Sequence, residues 1–208
     1  MPAHPSELAD GSAAADAALM ARLACGEARA LEPLYRRHRG GVYRFALLWS
    51  GSPATAADVT QDVFVHLLTR SGDFDPAAGA LRPWLLGIAR NFVRRRSGVR
   101  EVAFDEGDDG MPSVPEHVVE TTPDVLVGER QDLASLRRAI AALPPHYRDV
   151  LVLVELAERS YAEAAAICGC ELNTVRSRLS RARALLARWL ALDDGKPSAI
   201  AAGSGRKP

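Results

Sequence analysis

The chain has 208 residues, 26 basic and 26 acidic side chains, 48% hydrophobic residues and only 6% aromatics. That length accommodates one or two small domains, with cores resting on Leu, Val, Ile and Ala, a composition that favours packed helices over a β-sandwich. Three cysteines (Cys25, Cys168, Cys170) exclude a disulfide framework, and neither a membrane-spanning run nor a secretory signal is present, so the expectation is a soluble, cytoplasmic, mainly helical protein without membrane insertion.

The balanced total conceals segregated charge. Residues 1–19 carry −3; residues 20–100 carry 13 Arg against 6 acids; residues 101–127 carry 8 acids and no Lys or Arg; residues 128–208 carry 13 bases against 9 acids. Two basic modules joined by an acidic strap suggest a polyanionic partner.

In chain order, residues 1–19 are rich in Ala, Asp and Ser and read as a disordered tail. Residues 20–97 read as a helical domain. Leu31, Leu34, Tyr35, Val42, Phe45, Ala46 and Trp49 recur at three- and four-residue steps, as for one buried helix face. Ser50–Pro53 breaks that pattern, a second helix follows from Thr55 to about Arg70, and Ser71–Ala80 is a loop by its Gly, Pro and Asp content. A third helix spans Leu81 to about Arg96, with Pro83 tolerated in its first turn. Residues 98–127 read as an extended acidic linker. Residues 128–192 form a second helical domain, and residues 193–208 a flexible tail. The predicted fold is all-α, with two small helical domains on a flexible acidic linker.

Within the second domain, Leu143-Pro144-Pro145 separates helices at about 128–142 and 146–157. Ser160-Tyr161-Ala162-Glu163 has the form of a capping box, and Gly169 can end the short helix it opens by a left-handed turn. Asn173 is a suitable N-cap for a final helix from Thr174 to about Ala191. Short helix, glycine turn and long helix make a helix-turn-helix. At 100° per residue, Val175, Leu179, Ala182 and Leu186 share the core face, and Ser177, Ser180, Arg181, Ala184 and Arg188 the opposite one, with Arg176 to one side. Small residues interspersed with arginines suit close approach to a DNA groove.

These residues carry a resemblance. The stretch Leu143-Pro-Pro-His-Tyr-Arg-Asp-Val-Leu-Val-Leu, then Ser160-Tyr-Ala-Glu-Ala-Ala, then Thr174-Val-Arg-Ser-Arg-Leu-Ser-Arg-Ala-Arg183 resembles the promoter-reading C-terminal domain of bacterial sigma factors. Leu34-Tyr-Arg-Arg-His, Asp58-Val-Thr-Gln-Asp-Val-Phe64, Phe74-Asp-Pro and Trp84-Leu-Leu-Gly-Ile-Ala-Arg-Asn91 resemble the sigma domain that binds core RNA polymerase and opens the promoter. Both sets in order, at this length, resemble the extracytoplasmic-function (ECF) group.

The resemblance implies a protein that performs no chemistry of its own and needs no cofactor or metal. It would lend promoter recognition and melting to core RNA polymerase, contacting its β′ and β subunits and promoter DNA, at a specialised stress or envelope regulon, and would be held in check by an anti-sigma factor. It assigns polymerase contact to Asp58, Gln61, Asp62 and Val65, with Phe64 packing inside. Contact with the −10 element falls to Trp84, Arg90, Asn91, Arg94 and Arg95, Trp84 serving equally as a core residue. Contact with the −35 element falls to Thr174, Arg176, Ser177, Arg178, Ser180, Arg181 and Arg183, of which Arg178 and Arg183 suit phosphate rather than bases. Cys168-Gly169-Cys170 departs from the family pattern and reads as small semi-buried residues or as a thiol sensor. The alternatives are a sigma-like decoy that sequesters an anti-sigma factor and a stand-alone helix-turn-helix repressor. No paired carboxylates, Ser/His/Asp set or Gly-rich phosphate loop points to an enzyme.

Overall fold

The structure, a computed structural model, describes the backbone of residues 5–98 and 129–193 and the side chains of residues 13–98 and 135–190. The acidic linker apart from Gly98 and the C-terminal tail beyond residue 193 lie outside the described residues. Within them the fold is all-α, with no strand.

Helix α1 runs from Pro5 to Ala24 and covers most of the stretch expected to be a disordered tail. Composition misled here because alanine is also the best helix former, and the helix is anchored by residues far along the chain. Met20 and Leu23 are buried and Leu19 packs beside them. Asp16, 4% exposed, meets His38 Nε2 at 2.8 Å and is also paired with Arg37.

Gly26, at φ 89°, turns the chain out of α1, and a single 3-10 turn leads into α2, Leu31–Ser50. Gly51 at φ 70° closes α2, its N–H donating to Leu47 O at 2.8 Å. Helix α3 begins at Pro53 rather than Thr55. Ser52 caps it by accepting from Thr55 N at 3.2 Å, and the proline occupies the first turn, where its missing N–H costs nothing. It ends at Thr69. Helix α4 spans Leu81–Arg96 with Pro83 in its first turn, as the sequence predicts.

These helices bury Leu34, Val42 and Phe45 from α2, Val59, Val63 and Leu67 from α3, and Leu85, Ala89 and Val93 from α4. Each large apolar side chain so enclosed contributes about 1.5–3 kcal/mol. Tyr35, read as a core position, is instead 38% exposed and meets Phe64 in a T-shaped contact, 4.8 Å between ring centroids.

In the C-terminal module, α5 (Glu129–Ala142) precedes α6 (Pro145–Leu151), which continues into a π-helical turn over Val152–Leu156. Helix α7, Tyr161–Cys168, opens with both halves of the capping box: Ser160 Oγ accepts from Glu163 N and Glu163 Oε2 accepts from Ser160 N. Gly169 at φ 65° ends it. Helix α8, Leu172–Asp193, starts two residues before the expected position. Val150, Val152, Leu153, Ala164, Val175, Leu179 and Ala182 form its module's core.

The two modules share one continuous apolar cluster. Trp49, fully buried, sits at the join.

Acid should weaken this packing. Burial holds the His38 imidazole below its ordinary value, with Arg37 and Arg82 acting in the same sense against the pull of Asp16. Burial also lowers His146, helped by Arg178, Arg94 and Arg181 and opposed by Asp149. Above the unfolded value of about 6.5 neither state holds the proton. Below it the unfolded chain takes up protons that the folded chain refuses, so stability falls by up to about 1.4 kcal/mol per pH unit for each ring until the folded ring protonates as well. Denaturant midpoints measured at intervals downward from about pH 7.5 should decline below about 6.5. His38→Gln should flatten that decline; an equally steep decline in the variant would remove His38 from the account.

Candidate polymerase and nucleic-acid interfaces

Helix α8 presents two faces, as its sequence period dictates. Val175, Leu179 and Ala182 are buried, while Arg176, Ser177, Ser180, Arg181, Ala184 and Arg188 are exposed on the other side. The glycine turn and the capping box of α7 set the angle at which α8 leaves the module. Thr174 is half-buried, and its carbonyl accepts from Ser177 Oγ at 3.0 Å. Asn173, expected as the N-cap, lies inside the helix and accepts from Arg176 Nη1 at 3.3 Å. Arg181 Nη1 reaches the Tyr147 hydroxyl at 3.5 Å, which ties the reading face to α6.

The two residues assigned to phosphate lie near groups from other helices. Arg178 is half-buried and lies close enough to His146 and Cys168 to act on their protonation. Arg183 Nε donates to Glu155 Oε1 at 3.1 Å, and the same carboxylate raises the Arg183 pKa. Arg183 is nonetheless exposed and its pair with Glu155 is solvent-screened and exchangeable; these neighbours come from other helices, which local periodicity does not register.

The residues assigned to the −10 element divide in two. Asn91 and Arg95 are exposed on α4. Arg90 and Arg94 are only 13% and 12% exposed and face Asp149 of α6, with Arg90 Nε donating to Asp149 Oδ2 at 2.5 Å and Arg94 Nη1 3.7 Å from the same oxygen. Trp84 is half-buried and packs edge-on against Phe74, centroids 5.4 Å apart, so it anchors the loop before α4 to the helix. His66 lies 6.3 Å from Trp84 and 6.0 Å from Phe92 and extends that aromatic group.

The residues assigned to polymerase contact also divide. Gln61 and Val65 are exposed on α3, Val65 by 53%. Asp58 and Asp62 are bound by Arg96 of α4, which donates to Asp62 Oδ2 at 2.6 and 3.0 Å and to Asp58 Oδ2 at 3.0 Å. Those contacts are solvent-screened and exchangeable. Beside Gln61 and Val65 opens a groove between α2 and α3, lined also by Leu31, Tyr35, Arg39, Tyr43, Phe64 and Leu68. Tyr43 and Leu68 are 37% and 44% exposed, and the Arg39 guanidinium lies 5.6 Å from the Tyr35 ring centroid. Sequence reasoning missed Tyr35, Arg39, Tyr43 and Leu68 as surface residues. The signal was there: Tyr35, Arg39 and Tyr43 recur at four-residue intervals and so share one helix face.

The thiols are unequal. Burial, reinforced by Asp149, pushes the Cys168 thiol up to about 12, whereas Cys25 is exposed. Since the thiolate is the reactive form, iodoacetamide at about neutral pH should modify Cys25 well before Cys168. Modification of Cys168 at a comparable rate would restore the sensor reading. Among the described residues no group of three or more His, Cys, Asp or Glu is placed to hold a metal ion.

Residues 34–98 match the family described as Sigma-70 region 2, and residues 133–186 that described as Sigma-70, region 4. The two modules are the two halves of a sigma-70-type transcription protein. The chain is 36% identical over 176 residues to the ECF RNA polymerase sigma factor SigC of Mycobacterium tuberculosis, covering 82% of this chain and 89% of that protein. It is 33% identical over 187 residues to the RNA polymerase sigma factor CnrH of Cupriavidus metallidurans, covering 88% and 97%. Against SigE of Mycolicibacterium smegmatis it is 34% identical over 164 residues, covering 77% of this chain but 61% of that longer protein. Among solved structures, CnrH in complex with the cytosolic domain of CnrY matches with a TM-score of 0.64 at 30% identity, over 86% of this chain and 99% of that one. The sigma factor RpoE in complex with the anti-sigma factor NepR from Bartonella quintana matches with a TM-score of 0.55 at 29% identity, over 78% and 97%. The chain belongs to the ECF group of RNA polymerase sigma factors.

Proposed function

We propose that this chain docks on core RNA polymerase through the α2–α3 groove and directs it to promoters of a specialised stress or envelope regulon. The α8 face of Arg176, Ser177, Ser180 and Arg181 reads the −35 element. The end of α4, with Asn91 and Arg95 exposed and Arg90 and Arg94 once released from Asp149, meets the −10 element beside the loop that Trp84 anchors. Arginine suits guanine edges and serine suits bases or phosphates. The observation that carries the reading is the joint exposure of this polar, arginine-bearing helix face and of an apolar groove on the other matched module.

The protein then works in the cytoplasm, where polymerase and DNA are, and catalyses nothing itself. The matched CnrH structure is a complex with the cytosolic domain of CnrY, and the matched RpoE structure a complex with the anti-sigma factor NepR. They support a regulator of that kind for this chain, masking the same surfaces.

Transcription in vitro with purified protein, bacterial core polymerase and fragmented genomic DNA of the source organism tests the reading. Transcript starts that share two spaced upstream elements, and vanish without the protein, are the expected result. Core binding without starts would favour the decoy; absence of core binding would favour the repressor.

A further inference from the structure

Three elements of the C-terminal module converge on one guanidinium. Arg183 follows Arg176 by two turns of α8, which returns it to within about 20° of the same line along the helix, with the exposed Ser180 between them. Its Nε donates to Glu155 Oε1 at 3.1 Å, and its Nη2 is paired with the same oxygen. Glu155 lies on the π-helical turn that follows α6. The hydrogen bond to Glu155 raises the Arg183 pKa, and Tyr161, the first residue of α7 and 37% exposed, stands close enough to add to that rise.

The backbone around Glu155 and Tyr161 departs twice from regular geometry. A π turn is rare and recurs at functional sites. Glu158, at φ 55°, is the one residue other than glycine with a positive φ among the described residues. A side chain with a Cβ is strained there, and such strain persists only where the surroundings impose it. Ala157 N–H donates to Val152 O at 2.8 Å and Arg159 N–H to Leu153 O at 2.9 Å, which hold the segment in this form.

We propose that Arg183 and Tyr161 form a seat for one DNA backbone phosphate at the edge of the α8 reading face, and that Glu155 is the positioning residue that aims Arg183 at it. The proposal rests on the reading of α8 as the −35-facing helix.

The geometry supports each role. At about 1.5 Å of rise per residue, Arg183 stands about 10 Å further along α8 than Arg176. The N-terminal part of a recognition helix meets base edges, so a side chain two turns on meets the wall of the groove, which is sugar and phosphate. Glu155 takes the Nε side of the guanidinium, which leaves the Nη1 side of the fork for a second anion. The Tyr161 hydroxyl offers a further donor beside it. The Glu155–Arg183 pair is exposed at both ends and adds little to stability. Its effect falls on orientation, since a side chain already held in place loses less freedom on binding.

The test uses the full chain, on which Arg176, Ser180 and Arg183 are exposed. The probe is a fluorescein-labelled random-sequence duplex of about 30 base pairs, because backbone contacts carry no sequence choice. Fluorescence anisotropy over a salt series gives the affinity and its salt slope. Arg183→Ala should lower the affinity by about tenfold and reduce the slope by about 1. Tyr161→Phe should lower the affinity by about threefold; no change would remove Tyr161 from the seat. Glu155→Ala also removes a negative charge from the DNA side, which by itself raises affinity, so the readout is a double-mutant cycle. Glu155→Ala should be less favourable to binding with Arg183 present than in the Arg183→Ala background, by about fivefold or more. Glu155→Gln, which keeps an oxygen acceptor for Nε, should show a smaller coupling. Equal effects in the two backgrounds, or a larger rise with Arg183 present, would overturn the positioning role. Unchanged affinity or an unchanged salt slope in Arg183→Ala would overturn the seat. Arg176→Ala combined with Arg181→Ala separates this failure from failure of the α8 reading. If that variant weakens binding while Arg183→Ala does not, the seat alone fails; if it leaves binding unchanged as well, α8 is not the DNA surface and both fail.

Discussion

Val65→Asp should reduce affinity for core RNA polymerase by about 30-fold or more, the scale of about 2 kcal/mol at an interface hot spot. Val65 is 53% exposed at the rim of the α2–α3 groove, and Leu68, one turn on, is 44% exposed. Exposed apolar residues around Gln61, with Tyr35 and Tyr43 opposite, form a contiguous patch of the kind that marks a protein contact. A carboxylate placed there would have to be desolvated on docking without a designated partner. The free protein should tolerate it, since the position is already in water, and thermal stability should stay within about 0.5 kcal/mol of the parent. Leu68→Asp should behave alike. Binding of labelled protein to core polymerase and a thermal melt together decide the matter. Lost binding with unchanged melting supports the groove as the docking site; unchanged binding removes it. Asp62→Ala should do less than Val65→Asp, because Asp62 already spends its oxygen on Arg96.

Arg176→Ala should lower transcription from the cognate promoter by roughly 5- to 150-fold, corresponding to loss of about 1–3 kcal/mol from one bidentate arginine–base contact. Polymerase binding should be unaffected, because α8 and the α2–α3 groove sit on different modules. Arg176 is exposed, and its one hydrogen bond, to Asn173 on the same helix, is readily exchanged for a base. Arg181→Ala should act in the same direction but carries a second consequence, since Arg181 also reaches the Tyr147 hydroxyl. The measurement is transcription from the cognate promoter and from a set of single-base variants of its −35 element. A base-contacting Arg176 loses discrimination at one position. A uniform loss across all variants would reassign it to phosphate, and a loss of polymerase binding would contradict the division of labour between the modules.

Much of this protein is legible from local pattern. The three-residue and four-residue recurrence of apolar positions places the core faces of α2, α3, α4 and α8, because a helix repeats every 3.6 residues whatever it packs against. Ser160 with Glu163, and Gly169 after Cys168, mark the bounds of α7, because capping and left-handed turns are settled by a few consecutive residues. The two motif sets likewise lie within single helices and their flanking turns, and from them the family and its all-α fold follow.

What local pattern leaves open are pairings between distant residues. Alanine-rich residues 5–19 form a helix because Asp16 finds His38 and Arg37, more than twenty residues on. Tyr35 stands 38% exposed because its one ring contact among the described residues is an edge-type meeting with Phe64 of α3, a pairing between helices. Arg90 and Arg94 read equally well as DNA ligands or as partners of a buried acid, since an arginine offers the same donors to phosphate and to carboxylate. Asp149 lies 59 residues beyond Arg90 and 100 beyond Trp49. The sequence alone determines the helices from α2 onward, their core faces and the sigma-factor class, because those depend on short-range geometry. Which charged side chains stand free for polymerase or DNA is decided only when the chain closes, because a charge can be satisfied by any opposite charge the fold brings within reach.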